Sequence, residues 1–263
     1  MKLRLFIITA VVLLISCAKE IKTETSKKNS PATEISFYTP DSIQLFGDLY
    51  EVDKQGSTIL LFHQGGSNAR GEYSSIIPRL IEAGFNVLAI DQRMGGQAYG
   101  SYNRTLANIP TNRFGDGYTY CDAYNNLESA LDFIIASGFT AKKILWGSSY
   151  SASLAIKLAH QKPADVQAVL AFSPAAGGPM QACNPNEYFQ TLKTPLLLLR
   201  PPGEMENENS KAQFELAESY NHETYVPDHG VHGSSMLVEE RVGDEVEACW
   251  KVVLAFLDKI EEA

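Results

Sequence analysis

"ILWGSSYSASLA", residues 144–155, decides how this chain folds. Ile144 to Trp146 is an apolar run that stops at Gly147. Three serines then fall within four positions, and an Ala/Leu pattern with helical spacing begins. A short, wholly apolar run bounded by turn residues is the mark of a strand buried on both faces. The chain must therefore turn sharply from strand into helix across Gly147–Ser151. Small residues two before and two after Ser149 let such a turn hold that serine in a strained conformation, its Oγ raised above the sheet. The helix that follows aims its positive N-terminus at the same spot.

The surrounding sequence alternates in the same way. ISFY (35–38) and SIQLFGDLY (42–50) read as paired strands with a turn at Thr39-Pro40-Asp41. TILLFH (58–63), NVLAID (86–91), KILW (143–146), VQAVLAFS (166–173), PLLLLR (195–200) and HETYVP (222–227) read as further strands. Helical spacing predicts helices in EYSSIIPRLIEAG, AYNNLESALDFIIASG, SASLAIKLAHQK, KAQFELAESY and EVEACWKVVLAFLDKIEEA. Strands alternating with helices predict an α/β fold: a mostly parallel central sheet with helices on both faces and an antiparallel N-terminal edge. Functional groups in such sheets sit in loops at the carboxyl ends of strands.

Those loops carry three more motifs. FHQGGSN (62–68) follows the first buried strand, and its glycines allow close backbone approach to a ligand. RPPGEMENEN (200–209) follows PLLLLR and offers Glu204 and Glu206. PDHGVHGSSML (227–237) precedes the last helix and offers His229 and His232. Together with G-x-S-x-S at 147–151, these stretches resemble the α/β-hydrolase family, and more narrowly its dienelactone-hydrolase-like serine esterases. Ser151 departs from the family's second glycine. The resemblance covers residues 36 to 260 and implies a nucleophile at Ser149, a base at His232 rather than His229, and an acid nine positions after Pro195, at Glu204, with Glu206 as the other choice. Glutamate is the less common acid there. The chain order Ser, acid, His is the family's. The resemblance also implies an oxyanion hole built from the backbone N–H of Tyr150 and that of Gly65 or its neighbour Gln64. It makes His63 an organiser of its loop rather than a base. DQRMGG (91–96) resembles the turn after the second buried strand, where Arg93 braces the loop. The loop from Gly95 to Thr119, with Tyr99, Tyr102, Asn103, Arg104, Arg113, Phe114 and Tyr118, is expected to roof the pocket.

The N-terminus points to a compartment. Lys2 and Arg4 precede an apolar run from Leu5 to Ile15, which is too short to span a bilayer and has the length of a secretory signal core. It ends in Leu14-Ile15-Ser16-Cys17, which resembles a bacterial lipobox. Residues 1–16 are thus expected to be a lipoprotein signal peptide, Cys17 the lipidated residue, and 17–33 a disordered tether. The hydrolase domain would occupy 34–263. AKEIKTETSKKNSPAT (18–33) is too polar to offset its ordering entropy. Localisation in the cell envelope, anchored through the lipid, follows.

Charge and cysteines bound the rest. The net charge is −9, and without Lys2 and Arg4 only 20 basic side chains face 31 acidic ones. No basic stripe appears, so nucleic acid is not an expected partner. Cys121, Cys183 and Cys249 allow at most one disulfide, and no C-x-x-C pair or ligand spacing calls for a metal. Phosphate-binding glycine motifs are absent. The expected function is cofactor-free hydrolysis of small polar or aromatic carboxylic esters through an acyl-enzyme. A peptidase or thioesterase of the same fold, or a non-catalytic surface binding lipoprotein, is the alternative.

Overall fold

The computed structural model describes residues 30–110, 113–114 and 119–263. Residues 1–16, Cys17 and Tyr118 lie outside the described residues. Eight strands form one sheet: β1 (Thr33–Tyr38), β2 (Gln44–Tyr50), β3 (Thr58–Phe62), β4 (Asn86–Asp91), β5 (Lys143–Ser148), β6 (Ala168–Phe172), β7 (Leu196–Leu199) and β8 (Glu223–Tyr225). Their spatial order is β1-β2-β4-β3-β5-β6-β7-β8. β1 pairs with β2, and β2 with β4, in antiparallel fashion; every other pairing is parallel. This is the α/β-hydrolase sheet with its antiparallel edge.

The continuous apolar runs follow from burial on two faces. Side chains alternate across a strand, so Leu60, Phe62, Leu88, Ile90, Leu145, Val169 and Leu198 enter one core. Ile59, Leu61, Val87, Ala89, Trp146, Leu170 and Leu199 enter the other. Helices α4 (Tyr124–Ala136) and α5 (Tyr150–Gln161) cover the first face. The second is covered by α1 (Ala69–Tyr73), α2 (Ile77–Glu82) and α8 (Glu247–Glu262), the last through Trp250, Val253, Phe256, Leu257 and Ile260. Shorter α3 (Arg104–Ala107) and α7 (Glu239–Val242) lie in connections, and α6 (Glu208–Ser219) precedes β8. No helix among the described residues is long and apolar enough to cross a membrane.

Two sequence readings change. The helix expected over EYSSIIPRLIEAG is broken between Tyr73 and Ile77, giving α1 and α2. Pro78 explains the break: it has no N–H, and its ring would strike the carbonyl of Ser74 in a continuous helix. The loop from Gly95 to Thr119 is only partly a roof. Asn103 and Arg104 are buried: Asn103 donates to the Gln92 carbonyl (2.8 Å) and Arg104 enters an ion cluster. Arg93, also buried, braces the edge hairpin against α4. It grips both oxygens of Asp41 (2.6 and 2.9 Å) and donates to Asn126 on α4 (2.5 Å).

The ion cluster ties the antiparallel edge to the parallel sheet. Asp48 of β2, 2 % exposed, takes Arg70 of α1 at 2.7 Å and Arg104 of α3 at 3.0 Å. Arg104 continues to Asp91 at the end of β4 (2.6 Å) and to Glu34 of β1 (3.1 Å). Burial alone would raise the Asp48 carboxyl, but hydrogen bonds and charge from Arg70 and Arg104 hold it below the ordinary range. A depressed folded value means stability that is complete above the ordinary carboxylate range and lost as pH falls through the folded value. Cys121 and Cys183 form a disulfide that joins the turn before α4 to the turn after β6, and Cys249 is a buried free thiol.

Asp48→Asn should cost about 1.5–3 kcal/mol, because it removes the charged acceptor that Arg70 and Arg104 share while Arg104 keeps Asp91 and Glu34, and should lower Tm by roughly 5 °C at neutral pH. The gap between variant and wild type should shrink as the melt is repeated at acidic pH, where the wild type loses the same charge. The double variant Cys121→Ser/Cys183→Ser opens a loop with a sequence separation of 62 residues. In denaturant titration it should lose about 2–4 kcal/mol.

Candidate active site

The parallel part of the sheet is wound in opposite directions from β3, whose neighbours are β4 and β5. At such a switch point the loops leaving adjacent strands diverge and open a crevice. Phe62 at the end of β3 is in register with Gly147 on β5. The loop after β3 and the β5–α5 turn therefore start side by side.

Ser149 occupies that turn with φ 59° and ψ −124°, the left-handed side that costs a non-glycine residue about 1–3 kcal/mol. Its neighbours hold it there. The Ser149 N–H donates to the Phe172 carbonyl (2.8 Å), and its carbonyl accepts from Ala152 (3.1 Å) and Ala175 (3.2 Å). Gly147 has to be glycine, since a methyl there would lie 2.6 Å from the backbone of Ser151 and Ala152. Ser151 does more than stay small. Buried, it donates to the His63 carbonyl (2.6 Å) and accepts from Gln92 Nε2 (2.8 Å), locking the turn to the β3 loop.

His63 is wholly buried and organises that loop. The Gln92 N–H donates to its Nε2 (2.9 Å), which puts the proton of the neutral ring on Nδ1, and Nδ1 donates to the Gln64 carbonyl (2.8 Å). In a trans peptide the next N–H points the opposite way. With the Gln64 carbonyl pinned toward His63, the Gly65 N–H faces away from it. Gln64 drops out as an oxyanion donor: its N–H is committed to the carboxylate of buried Glu72 at 2.9 Å. Of the two candidates in this loop, Gly65 remains.

His232 closes the arrangement from the far end of the chain. Its Nδ1 lies 2.6 Å from Glu204 Oε1. A carboxylate oxygen can only accept, so Nδ1 is the donor, and in the neutral ring Nε2 keeps its lone pair. The residues after His232 are packed on the elbow: the Ser234 N–H donates to Ser148 Oγ (3.0 Å), Ser234 Oγ accepts from Trp146 (2.7 Å), and the Gly233 N–H donates to Ser173 Oγ (3.1 Å). Ser148 is Ser149's chain neighbour, so this packing brings the His232 loop to the Ser149 turn.

Glu204 is fixed on both oxygens. Arg200, 4 % exposed, holds Oε2 at 2.5 Å and also binds the Pro174 carbonyl (2.6 Å) and Gln213. Burial would raise the Glu204 carboxyl, but the hydrogen bond and charge of His232, with the charge of Arg200, hold it below the ordinary range. Glu206 is exposed and turned to solvent. His229, also exposed, faces Asp244 at 3.4 Å rather than the elbow. The sequence reading missed Arg200, Glu72 and Gln92. A lone charge ending an apolar strand, as Arg200 does in PLLLLR, was the available signal. Tyr99 accepts from Gln64 Nε2 (3.3 Å) and Ser235 Oγ (3.0 Å) beneath the Arg241 guanidinium, joining the loops after β3, β4 and β8. Among the described residues no group of three His, Cys, Asp or Glu could hold a metal ion.

Solved structures share this architecture. An esterase of Pyrococcus furiosus aligns with a TM-score of 0.62 at 17% identity, covering 88% of this chain and 91% of that one. Dienelactone hydrolase of Anabaena variabilis aligns at 0.63 and 16% identity, covering 88% and 98%. Est1E of Butyrivibrio proteoclasticus with ferulic acid bound aligns at 0.65 and 12% identity, covering 87% and 100%. At these identities the likeness speaks for the fold. No curated protein matches the sequence significantly. The profile of the family described as "Serine aminopeptidase, S33" matches residues 53–237, well over half the chain, and the chain therefore belongs to that family of α/β-hydrolases.

Proposed function

We propose that the chain is a serine hydrolase of carboxylic esters acting through Ser149, His232 and Glu204. The observation that carries this reading is the 2.6 Å contact of Glu204 with His232 Nδ1, on a loop packed against a serine elbow at φ 59°. His232 Nε2 takes the Ser149 proton as Oγ attacks the ester carbonyl. Glu204 keeps the ring in the right tautomer and stabilises the imidazolium. The N–H groups of Gly65 and Tyr150 hold the oxyanion, each worth roughly 3 kcal/mol of barrier. The alcohol leaves with the proton from His232, and water then releases the acid from the acyl-enzyme. The reaction requires no metal or organic cofactor. Aromatic residues near the site, such as Tyr99 and Tyr120, favour small polar or aromatic acyl groups over long chains. The family's description makes aminopeptidase activity the second reading, and aminoacyl p-nitroanilides beside short p-nitrophenyl esters separate the two.

We also propose attachment to the cell envelope through a lipid on Cys17. The Cys121–Cys183 disulfide supports an oxidising compartment on the far side of the membrane.

Ser149→Ala should abolish ester turnover and fluorophosphonate labelling, while Glu206→Gln should leave both near wild type. Glu204→Gln keeps the size but removes the charge, and kcat should fall by up to about 10⁴-fold. A melting scan separates lost chemistry from lost structure. Labelling that survives Ser149→Ala sinks the assignment, and a wild type inert to every ester and anilide makes the chain a binding protein.

Cell fractionation tests the anchor. Wild type should sediment with membranes and Cys17→Ser should not; a wild type found wholly in the cytosol ends the lipoprotein reading.

A further inference from the structure

Tyr120 touches both residues that bracket the proposed oxyanion hole. Its ring stacks on Tyr150, centroids 4.7 Å apart and planes 26° from parallel. Its hydroxyl fills the side-chain space of Gly65: a methyl on Gly65 would lie 2.8 Å from Tyr120 Oη, nearer than any other atom. The Tyr120 side chain is half-buried, and among the described residues no group takes or gives a hydrogen bond to that hydroxyl. The hydroxyl lies against Gly65 and the ring against Tyr150, the two residues whose N–H groups are assigned to the hole, and a phenol O–H that is uncommitted there can donate to what those groups bind.

The position is held from three sides. Tyr150 is buried and anchored by its own hydroxyl on the Met94 carbonyl (2.8 Å), so the ring beneath Tyr120 is fixed. Cys121, the next residue, is bonded to Cys183. Thr119, the preceding one, forms a reciprocal cap with Asp122. A donor fixed before the reaction needs no reorganisation when charge develops, the condition under which such donors accelerate most.

We propose that Tyr120 is a catalytic residue, the third donor of the oxyanion hole. This rests on the serine-hydrolase reading above and extends it. As Ser149 Oγ bonds to the acyl carbon, the carbonyl π pair moves onto oxygen, and the Tyr120 O–H donates to that oxyanion without transferring its proton. When the intermediate collapses, the pair re-forms the carbonyl, the bond to the alcohol breaks, and the alcohol leaves with the proton held by His232. Two consequences follow. Glycine is required at position 65 because a side chain would displace this hydroxyl. The disulfide then matters to rate as well as to stability, because it holds the donor in place.

Tyr120→Phe tests this cleanly, since it keeps the ring, the stack and the disulfide and removes one oxygen. With short p-nitrophenyl esters, kcat should fall about 10²-fold, the loss typical of one oxyanion donor, with KM nearly unchanged. A trifluoromethyl ketone, which gives an oxyanion on binding to Ser149, should bind weaker by the same factor as the fall in kcat/KM. Tm should stay at the wild-type value. A kcat and ketone affinity within twofold of wild type overturn the proposal while leaving the serine-hydrolase reading intact. A rise in KM or a fall in Tm with little change in kcat also overturns it, reducing Tyr120 to a packing or substrate-contact residue. If the wild type turns over no ester and takes up no fluorophosphonate, both readings fall together.

Discussion

The left-handed backbone at Ser149 is the constraint on which the rest of the site depends. A serine at φ 59° stays there only if its surroundings repay the strain. They do so with backbone bonds from β6 and from the first turn of α5, with Gly147 where a side chain cannot fit, and with the Ser148–Ser234 contact beneath. Phe172, Ala175 and Ser234 reach it from distant parts of the chain. The elbow is therefore a product of the completed sheet, and local sequence merely permits it.

Polar groups around the elbow work as a chain of orientation. Gln92 sets the tautomer of His63, His63 pins the Gln64 carbonyl, and that sets the direction of the Gly65 N–H. Glu72 takes the Gln64 N–H, so the loop is held at both ends of one residue. On the other side Arg200 fixes Glu204, and Glu204 fixes His232. Both chains bury charged or polar groups that would be costly unpaired; each residue has at least one partner, while Glu72 Oε1, Gln92 Oε1 and Arg200 Nε have none among the described residues. The buried Asp48–Arg104–Asp91 series does the same work for the scaffold, joining the antiparallel edge to the end of β4.

Much of this was legible in the sequence because its causes are local. Two-face burial forces unbroken apolar runs, so the parallel strands announce themselves in TILLF, NVLAID and PLLLL. Small residues flank the elbow serine because the turn has no room for others, and histidine in a loop between the last strand and helix is a chemical signal in itself. The antiparallel pair at the front follows from alternation and a proline turn. The break between α1 and α2 was also written there, in Pro78, but helical spacing outweighed it in the reading.

Tertiary structure alone decided the rest, for reasons of distance and direction. Glu204 and Glu206 are equivalent as letters; only the turn after Arg200 puts one against His232 and the other in water. Gln64 and Gly65 both offer an N–H, and Glu72, eight residues on, removes one of them. Arg104 looked like part of a polar roof, but charges from β1, β2 and β4 meet it in the interior. The pairing of Cys121 with Cys183 and the seating of Tyr120 over Gly65 depend on contacts between loops far apart in the chain. Composition and periodicity record which surface a residue prefers. They do not record which partner, across 50 or 100 positions, arrives there first.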